Sequence, residues 1–346
     1  MSMTLLEAFG VFTGILGIFS FTQKEYLEAN DRGAGFRFAV GLDGAGPRGK
    51  GLTNAGGTLP DIRVFNEHGS FLGIKVNDQT KCASGETECD VFLAGVTNQP
   101  TYTLFTANDD AICVAYVIVT FAEGTKYAWT GNWAKQCGAP WYYSDIVVRS
   151  NRGAEKILCA WLDADGNQPT TGLQVHWPSY STTFKGNGNK ANYYCTHPTV
   201  QTFHRDKEPK SIKFQRPKHN MFASNPSVET GRIEETSGKD ITPRGSSLHE
   251  RMAKDTRLVK SKASSHLASD LCNSPSSVGP SLVSYHERKF CHMANKKLYP
   301  ICASAKSGDC WDDEKHEIVS KAAGGTVKRA ANPAVAFTEI LFWGQK

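Results

Sequence analysis

The chain has 346 residues, 40% of them hydrophobic and 21% charged, with a formal charge of +5 and a pI near 8.6. That length suits one large domain or two lobes with a sizeable core. The excess charge is confined to Asp206–Lys262, where thirteen Lys/Arg face eight Asp/Glu, so the remainder is neutral and no clustered phosphate-binding face, hence no nucleic-acid partner, is expected.

The N-terminus carries an apolar run, Ala8–Phe21 (AFGVFTGILGIFSF). It is short for a stable membrane span. Glu7 precedes it where a signal peptide has basic residues, and no Ala-x-Ala-like site follows. Leu5, Leu6, Phe9, Phe12, Thr13, Leu16 and Phe19 recur at helical spacing, which predicts a buried or half-buried helix.

From there the signals are those of β structure. Phe36–Leu42 alternates, Asp43–Gly57 is a glycine-rich loop, and Asp61–Val76 reads as a hairpin turning at Glu67-His68-Gly69. Thr101–Thr106 is a further strand. Ala111–Trp133 is the clearest unit, two apolar strands around a two-residue turn at Glu123-Gly124. That register sets Ile118 opposite Trp129, Thr120 opposite Tyr127 and Val114 opposite Trp133. Both faces are then apolar, which places the hairpin at the centre of a sandwich or barrel. A second hairpin is predicted from Ile157–Asp163 and Gly172–Trp177 around Asp165-Gly166.

Ten cysteines fall in two even groups, Cys82, Cys89, Cys113, Cys137, Cys159 and Cys195, then Cys272, Cys291, Cys302 and Cys310. Even groups predict disulfides closed within each half, formed in the secretory pathway or outside the cell. The hairpin register brings Cys113 near Cys137 and predicts that bridge; Cys82–Cys89 and Cys159–Cys195 are the next simplest. No N-x-[ST] sequon occurs.

The expected fold is mainly β, an antiparallel β-sandwich or barrel with an N-terminal helix and a disulfide-stapled, irregular C-terminal lobe. Residues 1–205 form the helix and β body. Residues 206–265 form a basic linker, with a short helix from the capping pattern Ser247-Leu-His-Glu250 to about Lys260. Residues 266–346 form the stapled tail, whose strand-like end, Ala334–Trp343, is expected to pair with the N-terminal sheet.

Motif searches exclude more than they find. Gly44–Lys50 fits G-x-x-x-x-G-K, but Gly51 follows where Ser or Thr should hold magnesium, and no helix pattern follows. Asp163-Ala-Asp165-Gly166-Asn167 resembles part of a calcium loop without its full spacing, and a turn explains it. Asn108-Asp109-Asp110 likewise reads as a turn. His286, Cys291, His292, Cys302, Cys310 and His316 lack zinc-ligand spacing, so neither metal nor cofactor is expected. The remaining candidates are aromatic: Trp129, Trp133, Trp141-Tyr142-Tyr143 and His176-Trp177. Such a cluster can enclose a small apolar or aromatic substrate, or fill the core. Consecutive aromatics cannot all point inward from one strand, which favours a site at 141–143.

Three blocks carry a resemblance: TANDDAICVAYVIVTFAEGTKYAWTGNWAKQCGAPWYYSDI, CAWLDADGNQPTTGLQVHWP and LCNSPSSVGPSLVSYHERKFC. They resemble a family of secreted, disulfide-rich fungal proteins, and the chain is similar to the hetero-Diels–Alderases of tropolone–sesquiterpenoid biosynthesis. The resemblance implies cofactor-independent cycloaddition of a tropolone o-quinone methide with a humulene-type olefin, and it assigns no catalytic residue. The alternative is a secreted binding or effector protein with a lectin-like β domain using the same aromatics. A hydrolase with a dispersed triad is a third, weaker reading. The sequence carries no signal for oligomeric state.

Overall fold

The Ile112–Thr120 strand consists of Ile, Cys, Val, Ala, Tyr and Thr, and all nine residues are buried. Such a strand needs cover on both faces, and the fold supplies it. The computed structural model describes residues 8–10, 19–21, 27–41, 55–77, 79–96, 100–150, 153–165, 168–181, 191–215, 228–231, 252, 254–322, 327–329 and 336–343. The Gly44–Lys50 loop and most of 216–251 lie outside them. Among the described residues no helix is long and apolar enough to cross a membrane.

The largest sheet has eight strands. In spatial order they are Ala8–Gly10, Phe19–Phe21, Trp141–Ser150, Gly153–Leu162, Ile112–Thr120, Gly33–Val40 and Cys89–Ala94, with Lys126–Thr130 also paired to Ile112–Thr120. A five-stranded antiparallel sheet, Gln201–His204, Gly172–His176, Tyr102–Thr106, Asp61–Phe65 and Phe71–Lys75, covers one face. Phe105 of that sheet meets Phe36 and Phe38 edge-on at 6.0 and 5.6 Å. The sandwich is therefore as expected, with no closed barrel.

The described residues show no N-terminal helix; 1–7 and 11–18 lie outside them. Ala8–Gly10 and Phe19–Phe21 are strands paired with each other, and Phe19 and Ser20 pair with Ser150 and Arg149. The run is rich in glycine, aromatic and β-branched residues, all weak helix formers, and the edge of Trp141–Ser150 offers unpaired backbone groups.

The central hairpin forms with its register displaced by one residue: Val117 faces Trp129, Ile118 faces Ala128 and Val119 faces Tyr127. The loop has three residues rather than two, because the Phe121 N–H bonds the Thr125 carbonyl and Gly124 sits at φ +85°. One residue of slip exchanges the faces, so Trp129 and Tyr127 lie with Val117 and Val119 toward the five-stranded sheet. Trp133 never reaches Val114, because Asn132–Cys137 is a helix. The second predicted hairpin is absent: Gly153–Leu162 and Gly172–His176 belong to different sheets, and the segment between them crosses from one to the other.

These two changes re-pair the cysteines. Cys82 bonds Cys89 as its spacing suggested, but Cys113 bonds Cys159 and Cys137 bonds Cys195. Cys113 lies opposite Trp161 on the neighbouring strand, two residues from Cys159. Cys137, carried away on its helix, meets the helix Ala191–Thr196 instead.

The tail is more regular than its composition suggests. Lys297–Pro300, Lys289–His292, Ser281–Ser284, Arg257–Ser261 and Glu339–Trp343 form a five-stranded sheet, and a three-stranded one follows. Leu258, Val283, Phe290, Tyr299, Trp311 and Ile318 make its own small core, beside the bridges Cys272–Cys291 and Cys302–Cys310. Arg257–Ser261, expected as the end of a helix, is a strand; of the predicted helix before it Met252 and Lys254 are described and helical, and 247–251 and 253 lie outside the described residues. Glu339–Trp343 pairs in parallel with Arg257–Ser261 and not with the N-terminal sheet.

Non-reducing peptide mapping should recover Cys113–Cys159 and Cys137–Cys195. Replacing Cys113 and Cys159 together by alanine should cost about 2–4 kcal/mol in denaturant unfolding. Recovery of a Cys113–Cys137 peptide would contradict this arrangement.

Candidate functional site

The sequence-selected aromatics are core residues. Trp129, Trp133, Trp141, Tyr142, Tyr143 and Trp177 are each at most 2% exposed, so they offer no surface row on which a sugar could stack. Trp129 Nε1 donates to Gln201 Oε1 at 2.7 Å, and the Tyr180 hydroxyl donates to the same oxygen at 2.8 Å. Trp177 Nε1 donates to Thr103 Oγ1 at 2.7 Å. Trp133 lies over the Tyr194 ring at 4.6 Å. Of these contacts Trp129–Gln201 ties the two sheets of the body together, and Trp133–Tyr194 joins the two short helices beside them.

His176 bridges two partners: its Nδ1 lies 2.8 Å from Ser179 Oγ and its Nε2 lies 2.9 Å from Glu67 Oε2. This is a Ser–His–Glu line, but the ring nitrogens are exchanged relative to a hydrolytic triad. Ser179 is 2% exposed and lines neither cleft described below. The arrangement ties the Glu67-His68-Gly69 turn to the end of the Gly172–His176 strand.

Trp141, Tyr142 and Tyr143 all end on the tail. Trp141 Nε1 donates to Ser274 Oγ at 3.0 Å, the Tyr142 hydroxyl to the Pro280 carbonyl at 2.8 Å and the Tyr143 hydroxyl to the Leu267 carbonyl at 3.1 Å. Main-chain bonds join Trp141 to Ser276 and Val278, and Trp161 Nε1 donates to the Val278 carbonyl at 2.9 Å. Neighbouring side chains on a strand point to opposite faces, so the tail must wrap around this strand. That is why three consecutive aromatics are buried. At Gly279 (φ +154°) the tail passes so close that an added Cβ would lie 2.4 Å from the Tyr142 ring.

The wrapping leaves a cleft of about 370 Å³ between body and tail. Ala111 and Trp161 line it from the body, Val278 and Glu339 from the tail, and the segment from Met252 to Arg257 forms a third wall. Arg257 Nε and Nη2 donate to the two carboxylate oxygens of Asp255 at 2.8 and 2.6 Å. Both side chains are only 14% exposed. Burial alone would lower the guanidinium pKa, but Asp255 outweighs it and raises the value, so the group stays charged. The cleft thus joins the apolar side chains of Trp161, Met252 and Val278 to a fixed, oriented cation, with Gln168, Lys254, Thr256 and Glu339 completing a largely polar lining. A second cleft, of about 360 Å³, lies beside Cys137–Cys195, with Tyr194, Gln201 and Arg205 among its lining.

Sequence reasoning missed Arg257, Asp255 and Met252 because they fall in a stretch whose composition reads as linker. The one local signal was Asp255-x-Arg257 opening an apolar strand. Among the described residues Cys82, Glu86 and Cys89 form a compact group of metal-ligand types, but its sulfurs are bonded to each other and are not thiolates. Comparison with family models, with curated proteins and with solved structures finds no match in any of the three.

A buried histidine, His266, marks the same junction, and a second, His204, lies on the edge strand of the five-stranded sheet. His266 is 1% exposed, with Nδ1 2.9 Å from Ser261 Oγ and its ring stacked on Tyr143 at 4.6 Å. Burial, helped by nearby Lys156, pushes its pKa down to about 3 from 6.5. Burial and Lys213 push His204 down to about 4.

Two predictions follow from the junction. Tyr142→Phe should cost about 1–2 kcal/mol by leaving the Pro280 carbonyl without its donor. Gly279→Ala should cost about 1–3 kcal/mol through backbone strain and the ring clash. Urea unfolding measures both, and unchanged midpoints would contradict the contact. The second concerns pH. Between pH 6.5 and about 3 the unfolded chain binds the His266 proton and the folded chain does not. This contribution is complete above pH 6.5 and is lost as pH falls toward 3. Asp163, raised to about 7 by burial and Asp165, has the opposite slope. The readout is therefore the difference between wild type and His266→Gln, which should shrink between about pH 7.5 and pH 5; a constant difference would contradict it.

Proposed function

We propose that this protein is a secreted, cofactor-independent cyclase that promotes a hetero-Diels–Alder reaction in the cleft between its body and tail. The observation that carries the reading is the Arg257 guanidinium, held in a bidentate grip by Asp255 in a cleft that Trp161, Met252 and Val278 line together with the polar Gln168, Lys254, Thr256 and Glu339. Five disulfides are typical of secreted proteins and support the compartment. The block resemblance supports the reaction class and a fungal source.

The chemistry suits such a cleft. A cycloaddition needs its two partners held in one reactive pose, which can supply several kcal/mol of the barrier. The heterodiene is an o-quinone methide whose carbonyl oxygen gains negative charge as the new bonds form. A guanidinium fixed at that oxygen stabilises the transition state more than the ground state. The apolar side chains take the olefin and exclude water, which would otherwise add to the quinone methide. No proton need be lost in the cycloaddition itself, so an always-charged donor serves better than a titrating one.

The test is incubation with a hydroxymethyl tropolone that dehydrates to the quinone methide, together with a humulene. Wild type should raise the adduct yield and fix its stereochemistry. Arg257→Gln should lower the protein-dependent rate about 100-fold, with near-UV circular dichroism confirming the fold. Yield and stereochemistry equal to the protein-free control would end this reading.

A further inference from the structure

The body–tail cleft holds a second polar group whose bonding is incomplete. Gln168 lines the cleft together with Arg257 and is only 4% exposed. Its main chain is tied down: the Gln168 N–H donates to Asp163 Oδ2 at 2.7 Å. Asp163 is itself fully buried, and its N–H donates to the Thr170 carbonyl at 2.9 Å.

The side chain is not tied in this way. Among the described residues Gln168 Oε1 has no donor, although it is buried, and no hydrogen bond engages the amide nitrogen. No other described residue with a buried, unbonded side-chain atom lines either cleft. A buried amide oxygen without a donor lowers stability, and on a cleft wall a ligand can supply the missing bond.

The other polar groups of the lining select less strongly. Lys254 is exposed, and Thr256 and Glu339 are half-buried, so water competes for their bonds. Arg257 is held by Asp255 through Nε and Nη2. A shielded group discriminates more, because a ligand lacking the matching atom leaves it desolvated and unpaired. A carboxamide carries an acceptor and a donor side by side, and a half-turn of the amide exchanges them. Its complement is a ligand edge with the same two functions, a carbonyl with a hydroxyl beside it.

We propose that Gln168 is a specificity-determining residue of this cleft, its carboxamide pairing with a carbonyl–hydroxyl edge of the ligand. The choice of ligand rests on the cyclase reading, since a tropolone carries that edge.

The test measures binding to the full chain with no olefin present. The probes are tropolone, at a pH where its hydroxyl keeps the proton, and its methyl ether 2-methoxytropone, which lacks the O–H. Both are followed by quenching of tryptophan emission, to which Trp161 in the cleft contributes. Wild type should bind tropolone about 10-fold more tightly than the ether. Gln168→Met should bind the two equally. Without ligand it should melt no lower than wild type, because an unbonded polar group has been removed. The proposal is overturned by equal affinities in wild type, by no binding of either probe, or by a preference that survives in Gln168→Met. A lower melting midpoint for ligand-free Gln168→Met overturns it too, since the amide would then be bonded in the free protein. Adduct formation without a tropolone preference would leave the cyclase reading standing and end this one. A Gln168-dependent preference without any adduct would do the reverse.

Discussion

Everything on the tail side of the molecule depends on how the Trp141-Tyr142-Tyr143 strand is covered. Its three rings alternate across the sheet, yet each ends in a hydrogen bond to the tail. A buried tyrosine or tryptophan needs a partner for its polar tip as well as for its ring. The tail supplies both through carbonyls of Leu267 and Pro280 and the hydroxyl of Ser274. The body therefore has no finished surface here without the tail. In turn the tail gains a fixed path, enforced where Gly279 passes over Tyr142. The Cys272–Cys291 bridge then holds that path together from within the tail.

The candidate site is a by-product of this docking. Two sheets that pack face to face leave little space between them, and the sandwich interior is filled by Trp129, Trp133 and Trp177. A segment that wraps around a strand meets the body at an angle, and the concavity left is lined by both partners. The Asp255–Arg257 pair lies where the chain enters the tail sheet. Mutual hydrogen bonds fix its geometry before any ligand arrives, and that preorganisation makes a buried cation useful. The large aromatics hold the walls apart but do not themselves face the cleft, Trp161 excepted.

Local pattern identified most of the β structure, because alternation and β-branched composition are properties of a few neighbouring residues. The Asp61–Val76 and Ala111–Trp133 units were legible in this way. The register of the second was not. It depended on whether Gly124 closed a two-residue turn or sat in the left-handed position of a three-residue loop, and both are consistent with Ala-Glu-Gly. That single choice moved Trp129 to the other face, while the helix Asn132–Cys137 carried Cys137 away from Cys113. The apolar N-terminal run fitted a helix by spacing alone, while at Ala8–Gly10 and Phe19–Phe21 composition and the neighbouring sheet edge favoured strands. The candidate site was legible only in part: aromatic density marked the junction, but Arg257 and Asp255 sit in a stretch whose charge and lack of aromatics resemble a linker.

By itself the sequence determined a mainly β, disulfide-closed chain with a basic middle and a stapled C-terminal region. These follow from composition, cysteine parity and period-two patterning, which do not depend on distant contacts. Tertiary structure decided which cysteines pair, which sheet each strand joins, where the last strand returns and which side chains line a cleft. Each of those outcomes is set by contacts between residues tens to hundreds of positions apart, such as Tyr142 with Pro280 or Trp141 with Ser274. No local pattern in the chain encodes which of many similar apolar surfaces will meet.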